Sequence, residues 1–244
     1  MMISVCIPTY RGEKRLKRLL PTLATAADAD VELLVLDDGS PSEEATKIAA
    51  LISAFDGIKR KQITWSRNNG IVAAYDQLVR QAEGEVVLFL DDDVLVPFGL
   101  FRVIRQLIEI PGIGALSWRS TGSNPGQSKR PRPGLLQLAT QLAGYCMAFR
   151  REVYNEVGGV DTRFRQYCGD SDLALRMTLA GYPSYRVWWP LVPHEEHGAF
   201  NDAPELGDEA REQAASKDLR SFFEKWNATG DEMERRAVAG LECR

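Results

Sequence analysis

No run of apolar residues in this sequence approaches the ~18 that a bilayer-spanning helix needs, and the first eight residues carry no basic n-region ahead of an apolar stretch. A soluble, cytoplasmic protein is expected, free to associate peripherally with a membrane. The four cysteines, Cys6, Cys146, Cys168 and Cys243, form no CxxC pair. Reduced structural thiols therefore fit better than a zinc site or a disulfide framework. No GxGxxG follows the first apolar run and no GxxxxGK[ST] occurs anywhere, which removes both the dinucleotide fingerprint and the P-loop. Positive charge is not in excess either, the net charge being −4, so nonspecific nucleic-acid binding through a global positive field is excluded. Histidine is scarce: His194 and His197 are the only two, and their spacing of three rules out the HExxH zinc-protease pattern, which needs four.

What is present is a chain of 244 residues, 44% of them hydrophobic, enough for a sizeable core. Short apolar runs at Ile3 to Ile7, Val31 to Leu36 and, more weakly, Gln62 to Trp65 read as strands. Between them lie apolar residues at spacings of three and four: Leu16, Leu19, Leu20 and Leu23, then Ile48, Leu51, Ile52 and Phe55, then Val72, Tyr75, Leu78 and Val79. These are amphipathic helices. Strand and helix alternate up to a fourth run, Glu85 to Leu90, which predicts an α/β, Rossmann-like three-layer fold around a largely parallel sheet.

The fourth run ends in Asp91-Asp92-Asp93. Ligands collect at the carboxyl ends of strands in open α/β sheets, and three adjacent carboxylates repel one another unless a cation neutralises them. Hard oxygen donors in that number suit Mg²⁺ or Mn²⁺ bridging to a substrate's phosphates, although an acidic turn capping a helix near Pro97 accounts for the same residues. The second strand ends similarly, in Asp37-Asp38-Gly39-Ser40-Pro41. A carboxylate there can accept a hydrogen bond from a uracil imide N–H while Gly39 lets the backbone come close, and Asp38 or Ser40 can equally cap the next helix.

Together, Val5-Cys6-Ile7-Pro8-Thr9-Tyr10, Leu34 to Ser40, Asn68-Asn69-Gly70 and Leu90 to Asp93 resemble the family 2 nucleotide-sugar glycosyltransferases of the GT-A fold. A further group, Gly144 to Arg151, Gly158 to Asp161 and Gly169 to Arg176, resembles the acceptor half of that family, and the likeness covers about residues 3 to 200. It implies a metal-dependent enzyme that moves a sugar from a nucleoside diphosphate sugar, UDP-linked by first choice, to a hydroxyl-bearing acceptor with inversion. Asp38, with Asp37 beside it, would meet the base; Pro8, Thr9, Tyr10, Gly39, Asn69, Gly70, Asp91 and Asp92 would complete the donor pocket. Asp91 and Asp93 would form the DxD, with Asp93 on Mn²⁺ or Mg²⁺ and His194, after the last core strand, as a third ligand. Asp170 aligns with the acid of the ED motif and would be the general base.

Two departures accompany the likeness. Gly169 stands where relatives often carry Glu, which leaves Asp172 as a rival to Asp170, with capping of a helix from Leu173 to Leu179 as its commoner role. Ala74-Tyr75-Asp76 replaces a common Ala-Arg-Asn run, so a diphosphate contact from that Arg is missing or supplied elsewhere. The implied layout is a single domain over 1–228, with a nucleotide-sugar half at 1–117, an acceptor half at 135–200 and a C-terminal helix at 205–228, ahead of a flexible tail at 229–244. Leu219, Phe222, Phe223 and Trp226 form the expected apolar stripe of that helix. Between the halves, Trp118 to Gly134 reads as a long polar loop whose Arg130 and Arg132 suit a phosphorylated acceptor or a solvated linker. Asp172 and Trp189 are further acceptor-side candidates. A phosphohydrolase with a strand-end DxD, or a nucleotide-sugar-binding module without turnover, are the competing readings.

Overall fold

The computed structural model describes residues 1–120, 136–139, 141–194 and 208–227. Four parallel strands form one half of the sheet: β1 (Ile3–Thr9), β2 (Val31–Asp37), β3 (Lys59–Thr64) and β4 (Val86–Leu90), in the spatial order β3-β2-β1-β4. The sheet continues with β7 (Cys146–Arg150) antiparallel to β4, then β5 (Ala115–Ser120), β8 (Tyr185–Val192) and β6 (Leu136–Leu138). The result is a mixed eight-stranded sheet.

The central strands read as unbroken apolar runs because both faces are covered, and their side chains alternate between two cores. Ile3, Val5 and Ile7 of β1 and Val86, Leu88 and Leu90 of β4 enter one core with Leu16, Leu19 and Leu23 of α1 (Glu13–Ala26), Ile48 and Ile52 of α2 (Ser42–Ser53), and Phe101 and Ile104 of α4 (Leu100–Ile108). Cys6, Leu34, Leu36, Val87 and Phe89 enter the other, with α3 (Ile71–Gln81), α5 (Arg151–Glu156), α6 (Gly169–Leu179) and Phe222 of α7 (Asp208–Trp226). This is the expected three-layer arrangement. Because α1 and α2 lie on one face and α3 on the other, the strand order reverses between β1 and β4, and the crevice at their carboxyl ends is the natural ligand position.

Several boundaries differ from the sequence reading. β3 runs over Lys59–Thr64 rather than 62–65, since it is an edge strand defined by backbone pairing to Glu32–Asp37 and not by burial. Its Lys59 and Lys61 both pair with Glu83, a charged edge of the sort that discourages strand addition. α6 begins at Gly169, with Cys168 in the left-handed region (φ 65°) as its N-cap, so Asp172 lies inside the helix and caps nothing. Most of the polar loop, with Arg130 and Arg132, lies outside the described residues, as do His197 and the 229–244 tail.

Candidate active site

At the end of β4 the chain turns so that successive acids face different ways. Asp92 points towards α1, where its carboxylate accepts from Arg15 Nε (2.8 Å) and from the Thr9 hydroxyl, and Arg15 itself is buried. Its charge is neutralised inside the protein. All three acids line a cleft of roughly 450 Å³, with Pro8, Thr9, Tyr10, Asp38, Asp170 and His194, but Asp91 and Asp93 are the two whose oxygens gather with His194.

His194 is brought there by backbone pairing. Leu95 N–H donates to Pro193 O (2.9 Å) and Val94 bridges to His194, stitching the segment after β8 onto the acidic turn. The imidazole stacks on Tyr145 at 4.3 Å and 13°, and its Nε2 lies 3.1 Å from Asp93 Oδ1. One ligand atom each from Asp91, Asp93 and His194 falls within 4.8 Å of the others. Two carboxylate oxygens and an imidazole nitrogen are a donor set that suits Mn²⁺. Burial, reinforced by the like charge of Asp93, pushes the Asp91 carboxyl up to about 7, as expected of acids gathered where a cation belongs. Tyr75, kept protonated by burial and by Asp91, donates its hydroxyl to Asp91 Oδ1 (2.7 Å). Tyr75, at the position where the resemblance led to an arginine being expected, thus orients Asp91.

Asp38, which also lines the cleft, accepts the backbone N–H groups of Asn69 (2.7 Å) and Gly70 (2.9 Å). Burial raises it to about 6, partly offset by those two donors. Asp37 is fully buried and accepts Ser40 N–H, so it shapes the turn. Gly39 is required there: at φ 81°, an added Cβ would sit 2.3 Å from the Arg67 carbonyl carbon. Asn69, Gly70 and Gly39 therefore hold Asp38 from behind and are absent from the cleft lining.

Asp170 lines the cleft from the first turn of α6. Its Oδ2 accepts Gly144 N–H (2.6 Å) and its Oδ1 accepts Ser171 N–H (2.7 Å), while burial lifts its pKa above the usual carboxylate value. Gly169 packs closely on α3: a Cβ there would meet Val72 Cγ2 at 2.8 Å, so any larger residue would require the Val72 side chain to move. Asp172 turns into the core, where it is fully buried and bonded to Arg176 Nε (2.8 Å), Lys225 Nζ (2.6 Å) and Trp226 Nε1 (3.0 Å). It is absent from the cleft lining. Trp189, 47% exposed on β8, is likewise not part of the cleft.

Arg165 lines the cleft and was not anticipated; its Nη2 donates to Asn68 O (3.0 Å) and Oδ1 (2.8 Å), reaching from the segment before α6 to the loop beside Asp38. Tyr75 and Arg15 were missed as partners of the acids. A polar tip within an apolar helix stripe was the available signal for Tyr75.

A family model, Glycosyl transferase family 2, matches residues 4–158, and the chain belongs to that family. Its architecture is that of the GT-A glycosyltransferases. A mannosyltransferase from Pyrobaculum calidifontis, solved in complex with GDP-Man and Mn²⁺, superposes with a TM-score of 0.68 at 19% identity, over 82% of this chain and 59% of that one. An uncharacterized glycosyltransferase of Nostoc sp. is 33% identical over 117 residues, covering 46% of this chain and 35% of the relative. The N-acetylglucosaminyl-diphospho-decaprenol L-rhamnosyltransferase of Mycobacterium tuberculosis is 24% identical, over 82% of this chain and 78% of its own. The chain thus spans between about a third and four fifths of these proteins. Among the described residues no helix is long and apolar enough to cross a membrane.

Proposed function

We propose that this protein transfers a sugar from a nucleoside diphosphate sugar to an acceptor hydroxyl, with inversion at the anomeric carbon. The observation that carries this reading is the convergence on one cleft of three features: the Asp91, Asp93 and His194 donor set, Asp38 from the turn after β2, and Asp170 from α6. Asp91, Asp93 and His194 would hold Mn²⁺ or Mg²⁺, which when bound supplies Lewis-acid neutralisation of a diphosphate. Asp38 would accept an N–H of the nucleobase; the imide of uracil fits, and UDP remains the first choice. Asp170, raised by burial and fixed by two backbone donors, would take the proton of the acceptor hydroxyl as that oxygen attacks the anomeric carbon. One base and direct displacement give inversion. The likeness to a transferase named for a diphospho-decaprenol acceptor supports a lipid-linked acceptor as the first to test.

Asp170→Asn tests the assignment. The substitution keeps shape but removes the base, so transfer or slow donor hydrolysis falls by about 10²–10⁴-fold while nucleotide affinity is retained. Unchanged turnover in that variant would remove Asp170 from the mechanism. A wild-type protein that binds a nucleoside diphosphate but turns over no donor would instead be a binding module.

A further inference from the structure

The inner face of α7 carries charge where a helix packed on a core should be apolar. Ala214, Asp218, Phe222, Lys225 and Trp226 follow the i, i+4, i+8, i+11 and i+12 spacing of one face; Ala214 lines the cleft and Phe222 is buried in the core. Leu219 and Phe223, expected in an apolar stripe, are about half exposed. A carboxylate at a core-facing position needs partners, and Asp218, only 1% exposed, has three in succession: it accepts the backbone N–H groups of Arg165 (3.1 Å), Gln166 (2.8 Å) and Tyr167 (2.8 Å). Consecutive N–H groups converging on one anion form a nest, a concavity that is unfavourable when buried without its anion.

The nested segment connects the two sides of the cleft. Arg165, Gln166 and Tyr167 all line it; next comes Cys168, held at φ 65°, then Gly169 against Val72, then Asp170. The origin of α6, and with it the position of Asp170, follows from where this segment is anchored. We infer that Asp218 is a positioning residue for the reaction: α7 supplies the buried anion that sets the Arg165–Tyr167 backbone and thereby registers Asp170 against the donor half. This rests on the proposed role of Asp170.

The test is Asp218→Asn in the full chain. An amide offers one acceptor oxygen and turns an NH₂ towards the nest, so the amides of Arg165, Gln166 and Tyr167 should exchange hydrogen at least about tenfold faster while those of β1 and β4 stay protected. Donor turnover should fall at least about thirtyfold in kcat, with KM and the affinity for UDP and Mn²⁺ changed by less than about fivefold, because displacement of a catalytic group by an ångström or so acts on kcat. Asp218→Glu, which keeps the charge, should recover part of kcat. Unaltered exchange at the three amides would overturn the inference, as would accelerated exchange with unchanged kcat. Parallel losses of kcat, nucleotide affinity and β1 and β4 protection would also overturn it, by showing general unfolding. Asp170→Asn, measured alongside, separates the two failures: turnover surviving in that variant discards the base, whereas the exchange data still report whether Asp218 holds the segment.

Discussion

Asp38 shows how a single side chain acquires a usable property from its surroundings. It is nearly fully buried, and two backbone donors offset only part of the desolvation, so its pKa is pushed from 3.8 up to about 6. A folded-state value above the unfolded one means the folded protein binds the proton more tightly between these limits. The stability contributed by Asp38 is thus greatest below about pH 4 and declines by about 2–3 kcal/mol as pH rises to about 6, staying level above it. A carbon-detected NMR titration should give a midpoint near 6, and urea unfolding at pH 4 to 7 should show a decline that is smaller by this amount in Asp38→Asn, the remainder coming from the other raised carboxyls, Asp91 and Asp170 among them. A midpoint near 4 would mean the two N–H donors fully compensate burial. The residue scale is also where sequence reading had least purchase. Asp91, Asp92 and Asp93 are indistinguishable as letters, yet Asp92 is consumed by Arg15, a contact across 77 positions. Asp170 and Asp172 differ by two positions on a helix, which points them to different faces: one meets the cleft and the other the core.

Elements were more legible than partners. Runs of apolar residues and spacings of three and four located β1, β2, β4 and the first three helices, because burial on two faces or on one leaves a periodic trace. β3 was displaced by three residues at its start, since an edge strand has little burial to signal it. β5 was not distinguished from the polar segment that follows. Of the expected α7 stripe, Phe222 and Trp226 pack on the core while Leu219 and Phe223 are about half exposed, because Asp218 and Lys225, polar in the sequence, face inward through hydrogen bonds. Lys225 bonds both Asp161 (2.8 Å) and Asp172 (2.6 Å), tying α7 to α6 and to the segment before it. Lys225→Met should lower stability by about 1–3 kcal/mol, since Asp172 stays buried with only Arg176 and Trp226 as partners. The drop should appear as a lower urea midpoint with an unchanged m-value. A change under 0.3 kcal/mol, on the order of experimental error, would mean those two partners suffice without Lys225.

On the scale of the whole molecule, the reversal of strand order between β1 and β4 places the cleft, and every part of the proposed chemistry is delivered to it by a different element. The donor side follows local motifs at strand ends, which is why Asp38, Asp91 and Asp93 were legible in the sequence. Other contacts depend on packing: α7 anchors the segment carrying Arg165, and the segment after β8, whose His194 was named from the sequence, reaches Asp93 through backbone pairing. Such tertiary contacts leave no periodic trace. The central claim is that a divalent cation held by Asp91, Asp93 and His194 is what allows this cleft to retain a nucleoside diphosphate. It is tested most directly by calorimetric titration of UDP, dTDP and GDP into wild type and Asp93→Ala, with Mn²⁺ and with EDTA. One of these nucleotides should bind wild type at least about tenfold more tightly with Mn²⁺, a coupling of about 1.4 kcal/mol or more, and Asp93→Ala should abolish the difference. Equal affinity with Mn²⁺ and with EDTA, or no binding of any of the three, would contradict the account.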